Sequence, residues 1–435
     1  MKKKELRLAA KQFVEENFNF SENNTAEVVV REEEAAFGKA IQAECKKAGA
    51  RRVILRLAKK SDFVAYEEER KEVEESVANE AVECDVEANA PFENSPAERE
   101  TPKNEILLEV KNLKKYFVVG KNFFGKPTKY LRAVDNVSFT LKKGKTLGIV
   151  GESGCGKTTM GRTILRLYDV TGGEVWFNGK EVSKLSNAEF DKLRPNMQMI
   201  FQDPYASLSP RLTVGEIIGE AARQHGLVDQ ANFRSYVLSV MKMCGLQPHY
   251  FDRYPHEFSG GQRQRICIAR ALALKPELVI CDEPVSALDV SIQAQIINML
   301  RDLQKKLGLT YVFISHDLSV VKHISNEVGV MYLGSMVEYG SKERIFNNTL
   351  HPYTKALFSA VPVPNPHVKM NRVILKGDIP SPVNPPKGCK FHTRCEQCME
   401  ICKKVAPMYK EVEEGHFCAC HLFATEEEKA EMLKK

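Results

Sequence analysis

The sequence lacks a hydrophobic run long enough to cross a bilayer. Its strongest apolar stretches, such as residues 311–314, fall far short of the roughly 18–20 residues that a membrane-spanning helix needs. The basic residues at 2–4 are followed by further charged side chains instead of the apolar core of a secretory signal. We therefore expect a chain that neither crosses the membrane nor is exported. Its twelve cysteines are then reduced thiols or metal ligands rather than disulfides.

The sequence also has little excess of charge of either sign. Its 63 basic and 57 acidic residues leave a net charge of +6, which is too modest to favour nucleic acid as a partner. Hydrophobic residues make up 43% and charged residues 28%, values near those of ordinary globular proteins. Disordered, collagen-like and multi-span membrane chains are thereby excluded. The length of 435 residues leaves room for about two or three domains.

Charge and composition divide the chain into regions. The first 103 residues carry 18 basic and 23 acidic side chains, whereas the rest carry 45 and 34. From Ile106 onwards strands, glycine turns and helices alternate, which predicts a layered α/β domain. The predicted regions are an N-terminal α+β or partly disordered extension (1–66), an acidic helix or linker (67–103), the α/β domain (104–350), a proline-rich segment that wraps in extended form without helix (351–388), and a cysteine-rich tail that forms a separate chemical unit (389–423).

Apolar patterning predicts individual elements within these regions. Strands are predicted at 28–30 and 53–57 with a helix at 37–47 between them, buried strands at 147–150, 278–281 and 311–314, and a helix at 157–167.

A glycine-rich loop is the clearest chemical motif. Residues 151–159 read G-E-S-G-C-G-K-T-T, which matches G-x-x-x-x-G-K-[ST] between a predicted strand and a predicted helix. The glycines of such a loop turn backbone N–H groups towards phosphates, and the helix start adds about half a positive charge. We expect Lys157 to reach the β- and γ-phosphates of ATP and the Thr158 hydroxyl to ligate Mg²⁺. The predicted nucleotide-binding residues of this loop are Gly151, Ser153, Gly154, Gly156, Lys157, Thr158 and Thr159.

Two neighbouring carboxylates end the apolar strand at 278–281. Asp282 is expected to meet Mg²⁺, directly or through water. Glu283 is then the natural general base, or the residue that orients the attacking water. The sequence therefore predicts a hydrolytic site.

A second motif of phosphate-binding type precedes that strand by about 20 residues. Ser259, Gly260, Gly261 and Gln262 place a serine and two glycines ahead of a helix. A single nucleotide site within one chain does not require a second helix start of phosphate-binding type. Two chains placed head to tail account for both motifs, because the second motif of each chain would complete the nucleotide site of the other.

With these motifs the sequence resembles the ATP-binding cassette family over about 104–345. The resemblance implies a P-loop domain with a RecA-like core, an antiparallel β subdomain and a helical subdomain. It also implies that Gln202 contacts Mg²⁺ and the water, that Asp289 crosses the dimer interface, and that His316 senses the γ-phosphate. Glu283, His316 and Gln202 are the catalytic residues that it implies.

The same resemblance implies an aromatic residue that stacks on adenine. Tyr116 occupies that place, with Tyr130 and Phe117 as nearby rivals. Such stacking contributes about 1–3 kcal/mol if values for bases on aromatic side chains transfer.

The flanking segments narrow the resemblance to the ATPase subunits of bacterial oligopeptide and dipeptide importers. These segments are 202–212, His351-Pro352-Tyr353 and 377–382. The implied partners are a second ATPase subunit in a heterodimer, two membrane permease subunits that meet region 203–220, and an extracytoplasmic peptide-binding protein. The implied location is the cytoplasmic face of the membrane. Nickel or glycosides as cargo, and a soluble ATPase acting on nucleic acid, are the alternatives.

Six cysteines crowd into the last 47 residues. Thiolates so closely spaced are typical of zinc or iron–sulfur centres, and free or reversibly oxidised thiols are the alternative. The importer branch carries Cys389, Cys395, Cys402 and Cys420, which in some members hold a [4Fe–4S] cluster. Cys398 and Cys418 depart from that pattern and leave the ligand set open.

Overall fold

A computed structural model describes the backbone of 25–31 and 52–58 and, with side chains, residues 105–124, 126–360, Val373, Leu375 and 377–434. The chain divides into two compact units, 1–89 and 90–435. In the first unit, strands β1 (Thr25–Arg31) and β2 (Arg52–Ala58) pair in parallel from Thr25–Arg52 to Arg31–Ala58. Both predicted strands are therefore confirmed. The helix predicted at 37–47 and the acidic segment 67–103 lie outside the described residues.

The second unit contains two sheets. Its strands are β3 (Ile106–Lys121), β4 (Pro127–Lys142), β5 (Thr146–Val150), β6 (Gly172–Phe177), β7 (Lys180–Glu181), β8 (Met197–Ile200), β9 (Leu278–Asp282), β10 (Thr310–Ile314), β11 (Glu327–Tyr332), β12 (Ser335–Ser341), β13 (Lys410–Glu413) and β14 (His416–Cys418). The eight-stranded sheet has the order β13-β14-β12-β11-β5-β10-β9-β8, and a four-stranded antiparallel sheet has the order β4-β3-β6-β7. The strands from β11 to β8 are parallel.

Helices cover the eight-stranded sheet and connect its strands. Within the described residues they are α1 (Lys157–Ile164), α2 (Asn187–Asp191), α3 (Pro204–Ser207), α4 (Val214–Gln224), α5 (Phe233–Met243), α6 (Gly260–Leu272), α7 (Val290–Leu307), α8 (Leu318–Ile324), α9 (Lys342–Asn347), α10 (Pro352–Ser359), α11 (Glu400–Lys404) and α12 (Glu426–Lys434). None of the helices described is both long enough and apolar enough to span a bilayer.

The central strands are buried on both faces, which explains why their sequences are continuously apolar. In β9, Val279 and Cys281 face one hydrophobic core, which includes residues of α4, α5 and α6. Leu278 and Ile280 face a second core, which the four-stranded sheet closes. The buried strands predicted at 147–150, 278–281 and 311–314 are all confirmed. The predicted core, antiparallel β part and helical part are all present.

One prediction for the C-terminal region is wrong. Residues 351–388 are not extended throughout, because α10 begins at Pro352. Proline is tolerated at the first helical position, since the N–H that it lacks would have no intrahelical partner there. The cysteine-rich tail adds a strand to the central sheet, because β14 pairs with β12. That its cysteines form a separate chemical unit stays a prediction.

Candidate active site

The phosphate loop joins β5 to α1 and requires its glycines. Gly151, Gly154 and Gly156 have φ angles of 149°, 77° and 104°, a region that favours glycine. A Cβ atom on Gly151 would lie 2.2 Å from the Met331 carbonyl oxygen, and one on Gly156 would lie 2.1 Å from that of Ala133. Gly156 caps α1 without a side-chain hydrogen bond. The first N–H groups of α1 are thus not bound by a capping side chain, which suits phosphate.

Lys157 lies inside this loop. Its side chain is buried, and its ammonium group donates hydrogen bonds to the carbonyl oxygens of Gly151, at 2.8 Å, and Glu152, at 3.1 Å. A positive charge is therefore held among the loop's backbone atoms, where an anion would be attracted.

The end of β9 fits a magnesium ion. The Thr158 hydroxyl donates to one carboxylate oxygen of Asp282 at 2.7 Å. The other oxygen of this buried carboxylate has no hydrogen-bond partner among the described residues, and Arg162 Nη2 lies 4.0 Å away. Burial raises the pKa of Asp282. A buried carboxylate oxygen that accepts no hydrogen bond is costly, and a hard cation beside Thr158 would satisfy it.

Three predicted catalytic residues come together at one carboxylate oxygen. Gln202 Nε2 donates to Glu283 Oε2 at 2.8 Å, and His316 Nδ1 lies 3.3 Å from the same oxygen. Gln202 follows β8, Glu283 follows β9 and His316 follows β10. Because the carboxyl ends of adjacent parallel strands share one edge of the sheet, residues far apart in sequence meet there.

The serine-glycine motif caps α6. Ser259 Oγ accepts a hydrogen bond from the Gln262 N–H at 3.4 Å, and Gln262 Oε1 accepts one from the Ser259 N–H at 3.0 Å. Ser259 and Gly260 are exposed, and Gly261 packs against Ile292 so closely that a Cβ atom would lie 2.6 Å from Ile292 Cγ2. The motif is therefore a capped helix start whose first two residues are exposed.

Asp289 lies at the start of the next long helix. It is the N-cap residue of α7, is exposed, and makes no capping hydrogen bond through its side chain. Its carboxylate therefore does not cap this helix through a hydrogen bond.

The predicted adenine-stacking residue has contacts of its own. The Tyr116 hydroxyl donates to Asp135 Oδ1 at 2.5 Å, and the Arg132 guanidinium lies 5.8 Å from the centre of its ring. Burial, followed by the bond to Asp135, raises the pKa of Tyr116 to about 12. Of the two rivals, Tyr130 is exposed and Phe117 packs edge-on against Tyr168 at 5.3 Å.

Cysteines of the tail lie near one another. Cys389 N–H donates to the Cys402 carbonyl at 2.8 Å. Burial and nearby thiols raise the pKa of Cys389 to about 12 and of Cys420 to about 11. In the part of the chain that the structure describes, however, no three or more His, Cys, Asp or Glu side chains are arranged to hold a metal ion. The iron–sulfur cluster predicted at Cys389, Cys395, Cys402 and Cys420, and zinc as its alternative, gain no support from the structure.

A cavity of about 480 Å³ lies between the central sheet and the helical part. Apolar side chains line most of it, and two arginines lie at its wall. The lining includes Leu167, Phe190, Arg194, Phe201, Ala206 and Arg270. It adjoins the segment 203–220, which the sequence analysis assigned to partner binding.

Sequence reasoning missed contacts between the C-terminal tail and residues of the candidate site. Glu152, the second residue of the loop, pairs with Arg394 of the tail. Asp135 pairs with Lys390. No local pattern signals such contacts, because their partners are remote in sequence.

The chain is similar in sequence to known proteins. The family model described as ABC transporter matches residues 134–286, and that described as oligopeptide/dipeptide transporter, C-terminal region, matches residues 337–402. The oligopeptide transport ATP-binding protein AppF of Bacillus subtilis is 55% identical over 323 residues, which cover 74% of this chain and 98% of the relative. The oligopeptide transport ATP-binding protein OppF of Escherichia coli is 52% identical over 313 residues, covering 71% and 94%.

Proposed function

This chain belongs to the ABC transporter family, and we propose that within the family it is the ATP-hydrolysing subunit of a peptide importer. One observation carries the proposal: Gln202 and His316 both contact the carboxylate of Glu283. The residue before Glu283 in the chain is Asp282, whose carboxylate accepts the hydrogen bond from Thr158. Relatives named as oligopeptide transport ATP-binding proteins, together with the matching C-terminal model, support peptides as the cargo.

The residues divide the work of hydrolysis between them. Lys157 and the loop N–H groups bind the β- and γ-phosphates of ATP. Glu283 accepts a proton from the attacking water, and Gln202 fixes the direction of its carboxylate. Mg²⁺, when held by Thr158, Asp282 and Gln202, supplies positive charge against the phosphate oxygens. His316 is the candidate contact for the γ-phosphate.

A second ATPase chain completes the site in this proposal. Ser259 and Gly260 are exposed at the start of α6, and Gly261 and Gln262 are half-buried. In a head-to-tail pair, this motif and Asp289 would face the partner's nucleotide. We propose that the partner is a different ATPase subunit, which makes the pair a heterodimer.

Two membrane permease subunits are the other partners that we propose. The apolar cavity beside 203–220 offers a place for a cytoplasmic segment of a permease. Of the two arginines at its wall, Arg194 pairs with Asp191 and Arg270 donates to the Ser207 carbonyl. Gln202 lies immediately before this segment, so a movement of the permease would shift Gln202 and change its hydrogen bond to Glu283. The chain would then work at the cytoplasmic face of the membrane, with an extracytoplasmic protein delivering the peptide.

Uptake in cells tests the proposal. Cells that lack this chain should fail to import a labelled tetrapeptide, and the wild-type gene should restore import. Glu283→Gln should not restore it, whereas Asp302→Asn, which changes an exposed carboxylate on α7, should. Loss of nickel or glycoside uptake with normal peptide uptake would reject peptides as the cargo.

The metal content of the cysteine cluster stays a prediction from the sequence. Protein purified without oxygen would be brown and contain iron and sulfide if Cys389, Cys395, Cys402 and Cys420 held a [4Fe–4S] cluster. A colourless protein with one equivalent of zinc would favour the alternative, and a metal-free protein would reject both.

A further inference from the structure

The C-terminal tail contacts the phosphate loop through a pair of charged groups. Arg394 Nη1 lies 2.8 Å from Glu152 Oε2, and Nη2 lies 3.2 Å from Oε1, so the pair is bidentate. The Arg394 side chain is only 8% exposed. Charge-assisted, bidentate pairs of this kind fix geometry as well as adding energy. The side chain of Glu152 is thereby held by a residue 242 positions away.

The backbone of the same loop residue is held from a second direction. The Glu152 N–H donates to the hydroxyl of Tyr353 at 2.9 Å. Tyr353 is fully buried on α10, and its ring packs against those of Tyr332 and Phe391 at 4.7 and 5.4 Å. The hydroxyl is thus presented to the loop by a rigid aromatic cluster.

A third group of Glu152, its backbone carbonyl, contacts the phosphate-binding lysine. Its carbonyl oxygen accepts the hydrogen bond from Lys157 Nζ at 3.1 Å. Arg394 and Tyr353 therefore fix the residue against which the Lys157 ammonium is held. A shift of Glu152 would move the positive charge that binds the phosphates.

The tail also contacts the other end of the site. Lys390 donates hydrogen bonds to Asp135 Oδ2 at 2.8 Å and Ser335 Oγ at 2.7 Å. Asp135 in turn accepts a hydrogen bond from the Tyr116 hydroxyl. The Arg132 N–H donates to the Pro382 carbonyl at 3.2 Å. Segment 382–394 thus touches both the phosphate loop and the residues around Tyr116.

We infer that segment 382–394 positions the nucleotide site, and that Arg394 is a positioning residue that sets the phosphate loop for ATP through Glu152. This inference rests on the proposed function, since it concerns the same ATP site. It assigns to the C-terminal tail a role in nucleotide affinity that does not depend on metal at its cysteines.

Binding of a fluorescent ATP analogue to the full-length chain tests this inference directly, because it requires neither hydrolysis nor transport. Arg394→Gln should raise the Kd for the analogue about tenfold, the loss expected for one charge-assisted contact. Glu152→Gln should act alike, and the double variant should be no weaker than either single variant. In hydrolysis assays Arg394→Gln should raise KM far more than it lowers kcat.

Three further variants separate positioning from folding. Tyr353→Phe keeps the buried ring and removes only the acceptor of the Glu152 N–H, so it should fold normally and still weaken binding severalfold. Arg394→Lys should recover part of the affinity, because an ammonium group keeps the charge without the bidentate geometry. Lys403→Gln, which removes an exposed charge paired with Glu400 in the same tail, should bind as the wild type does.

The outcomes distinguish this inference from the proposed function. If the wild-type chain fails to bind the analogue, the proposed function itself fails. If the wild type binds, and Tyr353→Phe and Glu152→Gln fold and bind equally well, the inference is wrong. Variants with lower thermal stability but an unchanged Kd would likewise overturn the inference, since the contact between Arg394 and Glu152 would then stabilise only the fold.

Discussion

Glu283 lies in a left-handed backbone conformation, with φ at 46°, which residues other than glycine rarely adopt. Its N–H donates to the Ile314 carbonyl at 3.0 Å, and its carboxylate accepts the hydrogen bond from Gln202. Strain of this kind costs about 1–3 kcal/mol and persists where neighbouring groups enforce it. The conformation is therefore best explained by the need to aim this carboxylate.

Replacing the carboxylate by an amide should separate binding from hydrolysis. Glu283→Gln keeps the size of the side chain, so ATP should still bind, but an amide cannot accept the proton of the attacking water. We expect turnover to fall by at least about a hundredfold, the usual contribution of a general base, while ATP accumulates in closed dimers. Steady-state hydrolysis and gel filtration with ATP measure the two effects. Undiminished hydrolysis would remove Glu283 from its assigned role.

The residues of the candidate nucleotide site can be predicted from the sequence, because the chemistry expected of them requires certain residue types within short motifs. The loop at 151–159 needs glycine, lysine and threonine at fixed spacing, and Asp282 and Glu283 end an apolar strand. Arg394 could not be predicted in the same way. Its contact with Glu152 joins residues 242 positions apart, and the fold of the tail alone decides that they meet.

Helix α10 forms in a proline-rich segment because its first residues provide a helix cap. Pro352 takes the first helical position, and His351 Nδ1 accepts a hydrogen bond from the Tyr353 N–H at 3.0 Å. That nitrogen must be unprotonated to accept. Burial lowers the pKa of His351 to about 4, although the nearby Glu338 carboxylate acts in the opposite direction. A count of prolines carries no information on this cap, which is why the sequence prediction failed here.

The depressed pKa of His351 predicts loss of stability in mild acid. An unfolded histidine takes up its proton near pH 6.5, whereas this folded one resists protonation until about pH 4. Stability from this group is therefore fully present above pH 6.5 and declines as the pH falls towards 4, by up to roughly 3 kcal/mol. His351→Asn retains a cap acceptor and does not titrate, so its stability should fall less over this range.

Thermal unfolding of the wild type and His351→Asn between pH 4 and pH 7.5 measures this difference. The matched control is His225→Asn, which removes an exposed histidine and should leave the pH dependence of the wild type unchanged. Equal slopes for the wild type and His351→Asn would contradict the assignment of this titration to the cap.

At the scale of the whole second unit, the central sheet accounts for the position of the tail. β14 pairs with β12, and the buried Glu338 carboxylate on β12 lies 2.9 Å from His416 Nε2 on β14. Glu338 also accepts the N–H groups of Leu350 and His351. The cysteine spacing predicts a separate chemical unit, and strand pairing joins that unit to the central sheet of the ATPase domain. Pairing between remote strands is set by tertiary contacts that local spacing does not encode.

The exposed motif at 259–262 and the phosphate loop of the same chain lead to a last prediction about assembly. If each site is shared between two chains, Ser259→Arg should bind ATP normally through its own loop yet hydrolyse almost none. Lys157→Ala should also be inactive, because it lacks the phosphate-binding charge. Under conditions in which the wild-type chain pairs with itself, mixing the two variants should restore activity. A mixed pair contains one site with an intact loop facing an intact motif.

With random pairing, half of the pairs are mixed and each has one working site of two, so the equal mixture should recover about a quarter of the wild-type rate if the sites act independently. Hydrolysis per chain should also fall on dilution, as pairs dissociate. Wild-type activity in Ser259→Arg alone, or a rate per chain that does not change down to monomeric concentrations, would show that one chain holds a complete site.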